Sequence, residues 1–392
     1  MKNVYVFICF LFVCFSCKKE VEIRSIITND SLFQTIVVDP DDISLKEPTN
    51  ISVIADNIEY VPLQTADSIL IGSLKKMIVW NNQYYIWDQL TESIFCFDSK
   101  GKFIFKLCNR GEGPEEYPRI SNFTMDMENG NICIYSDMTR AIYIYTKDGE
   151  FLRRDTTPLI LTSFAVRKNY SYFYLGRLPN NTFFNQTYPE QCRYVVTKNG
   201  ELTHQQLPFT YNNEFLRIPL SFHNFTLYKD TMLLTEFLRP EVYAIDSAGI
   251  LVPRYRIEFL TNTYTPSFET GADLNLMKSL EKEGKLTELF GNFFETDKYI
   301  FFNYSRGLVG SVYVDKVKNK IHNMGYFLLD DFNNNRLSPT SGFATEEYLY
   351  KIDEPASLLR RQKKGLFSSD LNKLVDEMNE FDNPVIVKIK LK

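Results

Sequence analysis

The sequence predicts an all-β fold, a closed ring of repeated four-stranded units. Three observations lead to it. Aromatic residues make up 15% of the 392, with 32 Phe and 24 Tyr, and such rings pack well on a pleated face. Hairpins turned by a glycine recur at a nearly constant spacing. The runs that flank them alternate apolar and polar with the two-residue period of a strand, not the 3.6 of a helix.

The hairpins can be taken in order. "SIFCFDSKGKFIF" turns at Gly101, "AIYIYTKDGEFLR" at Gly149, "RYVVTKNGELTH" at Gly200 and "EVYAIDSAGILVP" at Gly249, in steps of 48, 51 and 49 residues. In each, the glycine supplies the positive φ of a tight turn. "SVYVDKVKNKIHN" is a weaker copy with Asn319 in the turn, and Asn is the next most tolerant residue there. A second hairpin precedes each of these. "KKMIVWNNQYYIWD" turns at Asn81-Asn82 and "FTMDMENGNICIYSD" at Asn129-Gly130, and "LYKDTMLLTEF" and "FETDKYIFFNYS" repeat the pattern. Each period therefore holds four short strands, the content of a propeller blade.

Counting periods predicts a six-bladed β-propeller, with blades near 69–108, 119–155, 160–207, 218–256, 288–324 and from 341. Two short helical insertions interrupt it. In 267–287, Leu274, Met277, Leu280 and Leu286 fall at helical spacing. In 355–383, Leu371, Leu374, Val375 and Met378 do so, behind a cap at Ser369 or Asp370. "NIEYVPLQT" at 57–65 is a strand with no partner nearby, and "VIVKIKLK" ends the chain as another. Pairing these two would close the ring and remove its exposed edges. The expected organisation is a signal peptide at 1–16, a tether and N-terminal segment at 17–50, and one propeller over 51–392.

Val4–Phe15 is an apolar run of 12 residues after Lys2. It is too short to span a ~30 Å bilayer core and fits the core of a secretory signal. Ser16-Cys17 then stands where a lipoprotein signal is cut, and the polar "KKEVE" that follows suits a tether. Cys17 is the expected lipidation site, so the partners foreseen include a membrane reached through that anchor. Cys14 and Phe15 depart from the usual residues before such a cut. A net charge of −5 leaves no basic footprint for nucleic acid. Cys96, Cys108, Cys133 and Cys192 form no CxxC pair. An even count permits disulfides in an exported protein, but three of the four sit in strand-like runs and read as small buried hydrophobes.

"NRGEGPEEYPR" at 109–119 occurs once, between the first two blades. Gly111, Gly113 and Pro114 favour a tight loop. As an anion cradle it is poorly made, because Glu112, Glu115 and Glu116 would repel the ligand and no helix follows. As half of a glycosidase it supplies one carboxylate where two are needed across a cleft. As a crossover loop it would anchor through Tyr117 and pair Arg110 with a local acid. A second constellation comes from laying the repeats side by side: Asp88, Asp137 with Arg140, Glu236 with Arg239, and Arg306 each end a second strand. Repeated around a ring, they would either project charge over one end of the channel or form solvated turn pairs worth about 0–1 kcal/mol each. Arg110, Glu112, Tyr117, Asp88, Asp137, Arg140, Glu236, Arg239 and Arg306 are thus the candidate ligand-binding residues. His204, His223 and His322 fall at unmatched positions, no GxSxG elbow occurs, and no metal or other cofactor is implied. Trp80 and Trp87 flank one hairpin and suit core packing better than sugar stacking.

The early strand "IEYVPLQT", the "GEGPEEY" after the first blade and the ending "NPVIVKIKLK" resemble the six-bladed β-propeller lipoproteins of Bacteroidota, related in architecture to NHL-repeat propellers. Glu115 stands where that family usually has a second glycine. The resemblance spans the mature chain and implies fold and an outer-membrane envelope location, periplasmic or surface-exposed, with no agreed activity. The expected function is a binding or protein-interaction module for a glycan, a peptide or a partner protein. The alternatives are a carbohydrate-active lyase or hydrolase using carboxylates on the ring face, and a scaffold subunit of an envelope complex.

Overall fold

The glycine turns form as the spacing predicts. Gly101, Gly149, Gly200 and Gly249 have φ of 79°, 89°, 82° and 89°, and Asn319 has φ of 50°. At Gly101 a Cβ would also meet the Pro62 carbonyl oxygen at 2.1 Å, so glycine is needed there for space as well as for conformation. The computed structural model describes the chain apart from residues 1–27, 31, 43–47, 177–179, 181–191, 209–222, 237–238, 262–278, 281, 341 and 366.

Seven sheets stand where six blades were expected, and they do not all have four strands. Sheet I holds Leu74–Trp80, Gln83–Asp88, Ser93–Phe97 and Phe103–Leu107. Sheet II holds Asn122–Met125, Ile132–Ser136, Ala141–Tyr145 and Phe151–Thr156. Sheet III holds Ser163–Arg167, Tyr170–Tyr174, Cys192–Lys198 and Glu201–Pro208. Sheet IV holds Phe225–Tyr228, Thr231–Thr235, Glu241–Ile245 and Leu251–Phe259, and extends through Phe33–Val38 to Thr28–Asp30. Sheet V holds Glu288–Glu295, Tyr299–Arg306, Leu308–Asp315 and Lys320–Gly325. Sheet VI has three short strands, Asn335–Leu337, Leu328–Asp330 and Thr49–Asn50. Sheet VII holds Phe343–Ala344, Tyr348–Asp353, Val385–Leu391 and Ala55–Pro62.

The six-bladed count is corrected for a physical reason. The added strands come from 28–50 and 328–337, outside the repeat, where short runs carry no glycine hairpin. Thr49–Asn50 pairs in parallel with Leu328–Asp330, and Phe33–Val38 in parallel with Leu251–Phe259. Parallel partners this far apart in sequence leave no local signature.

The expected closure is present. Val385–Leu391 runs antiparallel to Ala55–Pro62, with Val387 opposite Tyr60 and Ile389 opposite Ile58. Val385, Ile386, Val387 and Ile389 are fully buried, each worth about 1.5–3 kcal/mol. In the second insertion, helices α1 (Pro355–Gln362) and α2 (Ser369–Asp376) bury Leu358, Leu371 and Val375. The cap of α2 is Ser368, whose side chain accepts from the Leu371 N–H at 3.3 Å. The first insertion lies largely outside the described residues.

Within each of sheets I to V and VII, the first strand is innermost. These inner strands approach one another in turn: Asn122–Met125, Ser163–Arg167, Phe225–Tyr228, Glu288–Glu295, Phe343–Ala344 and Leu74–Trp80. Crossovers into the first strand and turns after the second lie at the same end of the ring. That end carries the predicted site residues.

Candidate functional site

The 109–119 stretch folds as a self-bonded crossover. Tyr117 N–H donates to Asn109 O at 3.0 Å and Gly111 N–H to Tyr117 O at 3.1 Å. Glu116 turns inward, its Oε2 accepting from Gly113 N–H at 2.9 Å. Tyr117 is fully buried and donates to Glu92 O at 3.0 Å. Its ring meets Tyr143 and Tyr145 edge-on, and burial raises its hydroxyl pKa. The Tyr145 hydroxyl in turn donates to Glu115 O at 2.8 Å. Arg110 and Glu112 are exposed. Tyr117 therefore ties the loop to sheet II, as the crossover reading expects, whereas among the described residues Arg110 forms no ion pair with a local acid.

The charged residues at second-strand ends are engaged separately. Asp88 is buried and accepts from Ser73 N at 2.6 Å, Thr91 N at 3.1 Å and Thr91 Oγ1 at 2.6 Å. Asp137 binds the Arg119 guanidinium and accepts from Ser121 Oγ at 2.6 Å. Burial works against its charge, but these bonds hold its carboxyl below the ordinary value. Arg140 is exposed, adopts φ of 47° and donates to Pro158 O at 3.4 Å. Glu236 is buried against Arg193 of sheet III, with Nε to Oε2 at 2.5 Å and Nη2 to Oε1 at 3.2 Å. Tyr174 donates to it at 3.2 Å and Arg239 stands 3.7 Å away. Burial opposes its charge, yet the arginines keep its pKa low. Arg306 donates to Gly284 O at 3.0 Å and pairs with Asp41, drawing the N-terminal segment onto sheet V. Asp88 and Asp137 thus do local structural work in sheets I and II, and Glu236 joins sheet IV to sheet III.

A different group occupies the inner strands at that end. Lys76, on the first strand of sheet I, is buried and donates to Asn122 Oδ1 at 3.0 Å and Phe123 O at 2.7 Å. Asn122 Nδ2 donates to Thr162 O at 2.8 Å. Ser163 Oγ donates to Asn224 Oδ1 at 2.9 Å, and Asn224 Nδ2 donates to Thr235 O at 2.8 Å. A polar belt thus runs from sheet I to sheet IV. An aromatic chain adjoins it: His223 lies against Phe294 at 6.5 Å between ring centroids, and Phe294, one residue from the hairpin end of Glu288–Glu295, against Phe343 at 6.0 Å. Burial lowers the Lys76 amine to about 7. Burial and the Lys76 charge push His223 down to about 3.

The sequence reading missed this belt because its members share neither type nor repeat position. Lys76 sits beside a register shift between Leu74 and Lys76, and His223 and Asn224 precede their strand. It also missed Arg193, and Glu295, which is buried with Arg254 at 2.7 Å, Lys316 at 2.8 Å and Tyr255 at 2.8 Å. One signal was available: a lysine or glutamate inside an aromatic strand asks for a partner. Trp87 is core, and Trp80 donates to Met127 O at 3.1 Å. Cys96, Cys133 and Cys192 are buried and Cys108 is exposed, all as free thiols. Among the described residues no cluster of three or more His, Cys, Asp or Glu is placed to hold a metal, and no helix is long and apolar enough to cross a membrane. Cys17 lies outside the described residues.

Among the solved structures that resemble this chain, one supports the architecture. A Bacteroides fragilis protein described as exported superposes with a TM-score of 0.69 at 17% identity, over 92% of this chain and 99% of that one. A Bacteroides vulgatus protein of the DUF4221 family gives 0.48 at 11% identity, over 86% and 97%. The virginiamycin B lyase of Staphylococcus aureus gives 0.37 at 14% identity, over 68% and 73%. The first of these shows a shared β-propeller fold. No curated protein matches the sequence. A family model does, over residues 33–390, and the chain belongs to that family, described as a domain of unknown function, DUF4934.

Proposed function

We propose that this protein is an exported binding module that meets its ligand at the ring mouth. The observation that carries the reading is the composition of that mouth. A buried amine, two amides and a hydroxyl in one bonded belt share the inner strands with an aromatic chain of His223, Phe294 and Phe343. Small-molecule and peptide sites combine such aromatic surface with a few fixed polar groups. The acids that a hydrolase or lyase would need are engaged instead in turn and inter-sheet bonds. Export is supported by the apolar run Val4–Phe15 followed by Cys17, and by the likeness to the Bacteroides fragilis protein described as exported. Lipidation of Cys17 would hold the module at the membrane, and Cys17→Ala should then abolish lipid labelling.

The test is a glycan and peptide array probed with the purified protein, followed by titration of each hit against Lys76→Met and Phe343→Ala. Binding at least tenfold weaker in both variants, with their folds intact by circular dichroism, is the expected result. Hits that bind both variants as they bind the parent chain would overturn the reading.

A further inference from the structure

Buried polar atoms are almost always bonded, so an exception asks what satisfies it. One exception lies between sheets V and VII. The inner strand of sheet V, Glu288–Glu295, breaks register with Tyr299–Arg306 twice, between Leu289 and Gly291 and again between Gly291 and Phe294. Gly291 has φ of 107° and Asn292 φ of 51°. A bulged strand bends locally and leaves its extra residue out of the ladder. Beside this one is a cavity of about 20 Å³ whose wall includes Asn292, Asn303 and Ser311.

Asn303 is largely engaged. It is buried, its Nδ2 donates to Gly310 O at 3.0 Å and to Pro339 O at 3.2 Å, and its Oδ1 accepts from Asn292 Nδ2 at 3.3 Å. Lys351, buried on sheet VII, holds the same loop through Pro339 O at 3.1 Å and Thr340 O at 3.0 Å. Ser311 differs. It stands directly opposite Asn303 in the ladder, and its buried Oγ has no hydrogen-bond partner among the described residues. A buried hydroxyl left in that state costs stability. An amide oxygen can accept two hydrogen bonds, and one is described for Asn303 Oδ1.

We infer that this cavity is a structural water site, in which one water accepts from Ser311 Oγ, donates to Asn303 Oδ1 and meets the Asn292 amide. Size, polarity and reach converge on this occupant. About 20 Å³ is room for one water. Internal waters typically make about three hydrogen bonds, and three polar groups are offered here. A cavity lined only by the likes of Phe301, Tyr313, Met324 and Leu349, which share this wall, would stay dry. Residues directly opposite on adjacent strands hold their Cβ atoms about 4.5–5.5 Å apart, so the short polar tips of Ser311 and Asn303 can share one water. The bridge would tie the bulged inner strand to the second and third strands of its own sheet. It does not depend on the ring-mouth reading.

The test is a crystal structure of the chain, paired with urea midpoints for Ser311→Ala. Density for one water within about 3.2 Å of both Ser311 Oγ and Asn303 Oδ1 is expected. Ser311→Ala should lower the urea midpoint by roughly 0.3 M, because the water and Asn303 lose a bonded partner. No density beside Ser311 Oγ would overturn the inference. So would a Ser311→Ala chain as stable as the parent or more so, the sign expected when an orphaned hydroxyl is removed from a dry cavity. Crystals grown in bromide give a third arm: an anomalous peak at the site would identify a halide beside Lys351 and sink the water reading. Should Ser311→Ala not fold, the two crystal structures of the parent chain decide by themselves.

Discussion

Lys76 offers the sharpest test of the ring mouth. Its amine is held near 7 by burial, against 10.5 for a free lysine, and its described partners are two neutral oxygens. The unfolded chain keeps this proton up to about pH 10.5, whereas the folded chain releases it near 7. Between those values the unfolded state binds more protons, so stability must rise with pH. The rise is worth up to about 1.4 kcal/mol per pH unit and about 5 kcal/mol in all. Lys351 is lowered to the same value by the same cause and adds its own rise, so the wild-type curve alone does not separate them. Lys76→Met removes one and leaves the other. Its loss of two hydrogen bonds costs about 1–3 kcal/mol for each oxygen stranded, an offset that does not depend on pH. The quantity to measure is therefore the stability of wild type minus that of Lys76→Met, from urea unfolding followed by the fluorescence of Trp80 and Trp87. It should climb by several kcal/mol from pH 7 to pH 10. A difference constant to within about 0.5 kcal/mol would refute the reasoning, and with it the buried, acid-free position of the amine.

Arg193→Met should destabilise by about 3–5 kcal/mol, because it leaves the Glu236 carboxylate buried beside Tyr174. Arg193→Met/Glu236→Leu should recover much of that loss, measured by the same denaturant midpoints. Gly101→Ala and Gly200→Ala both force a side chain to positive φ, at about 1–2 kcal/mol. Gly101→Ala alone also drives its Cβ into the Pro62 carbonyl, whereas Gly200 has open space, so its melting temperature should fall clearly further. Tyr117→Ala should cost about 3–5 kcal/mol as a large core truncation. Glu112→Gln, in the same loop but exposed, should stay within about 0.5 kcal/mol.

Much of the fold was legible because its signals are local. Each hairpin carries its own turn residue and its own alternation, so Gly101, Gly149, Gly200 and Gly249 could be placed before any contact was known. The closing pair of 57–65 with 385–391 followed from a strand lacking a near partner at each end of the chain. The number of sheets was not legible. Phe33–Val38 and Thr49–Asn50 are strands only because Leu251–Phe259 and Leu328–Asp330 offer them an edge, and a parallel partner hundreds of residues away writes nothing into their composition.

The site divides in the same way. Sequence alone determined that charged residues recur at second-strand ends and that Tyr117 anchors the crossover loop, since spacing and residue type suffice for both. Only the tertiary structure decided that Asp88 holds its own turn, that Glu236 belongs to Arg193, and that Lys76, Asn122, Ser163, Asn224 and His223 meet at one mouth. A side chain's role depends on which neighbours compete for its lone pairs and charge. For Lys76, Glu236 and Asn224 those neighbours come from the next sheet, about one repeat away, where no local pattern reaches.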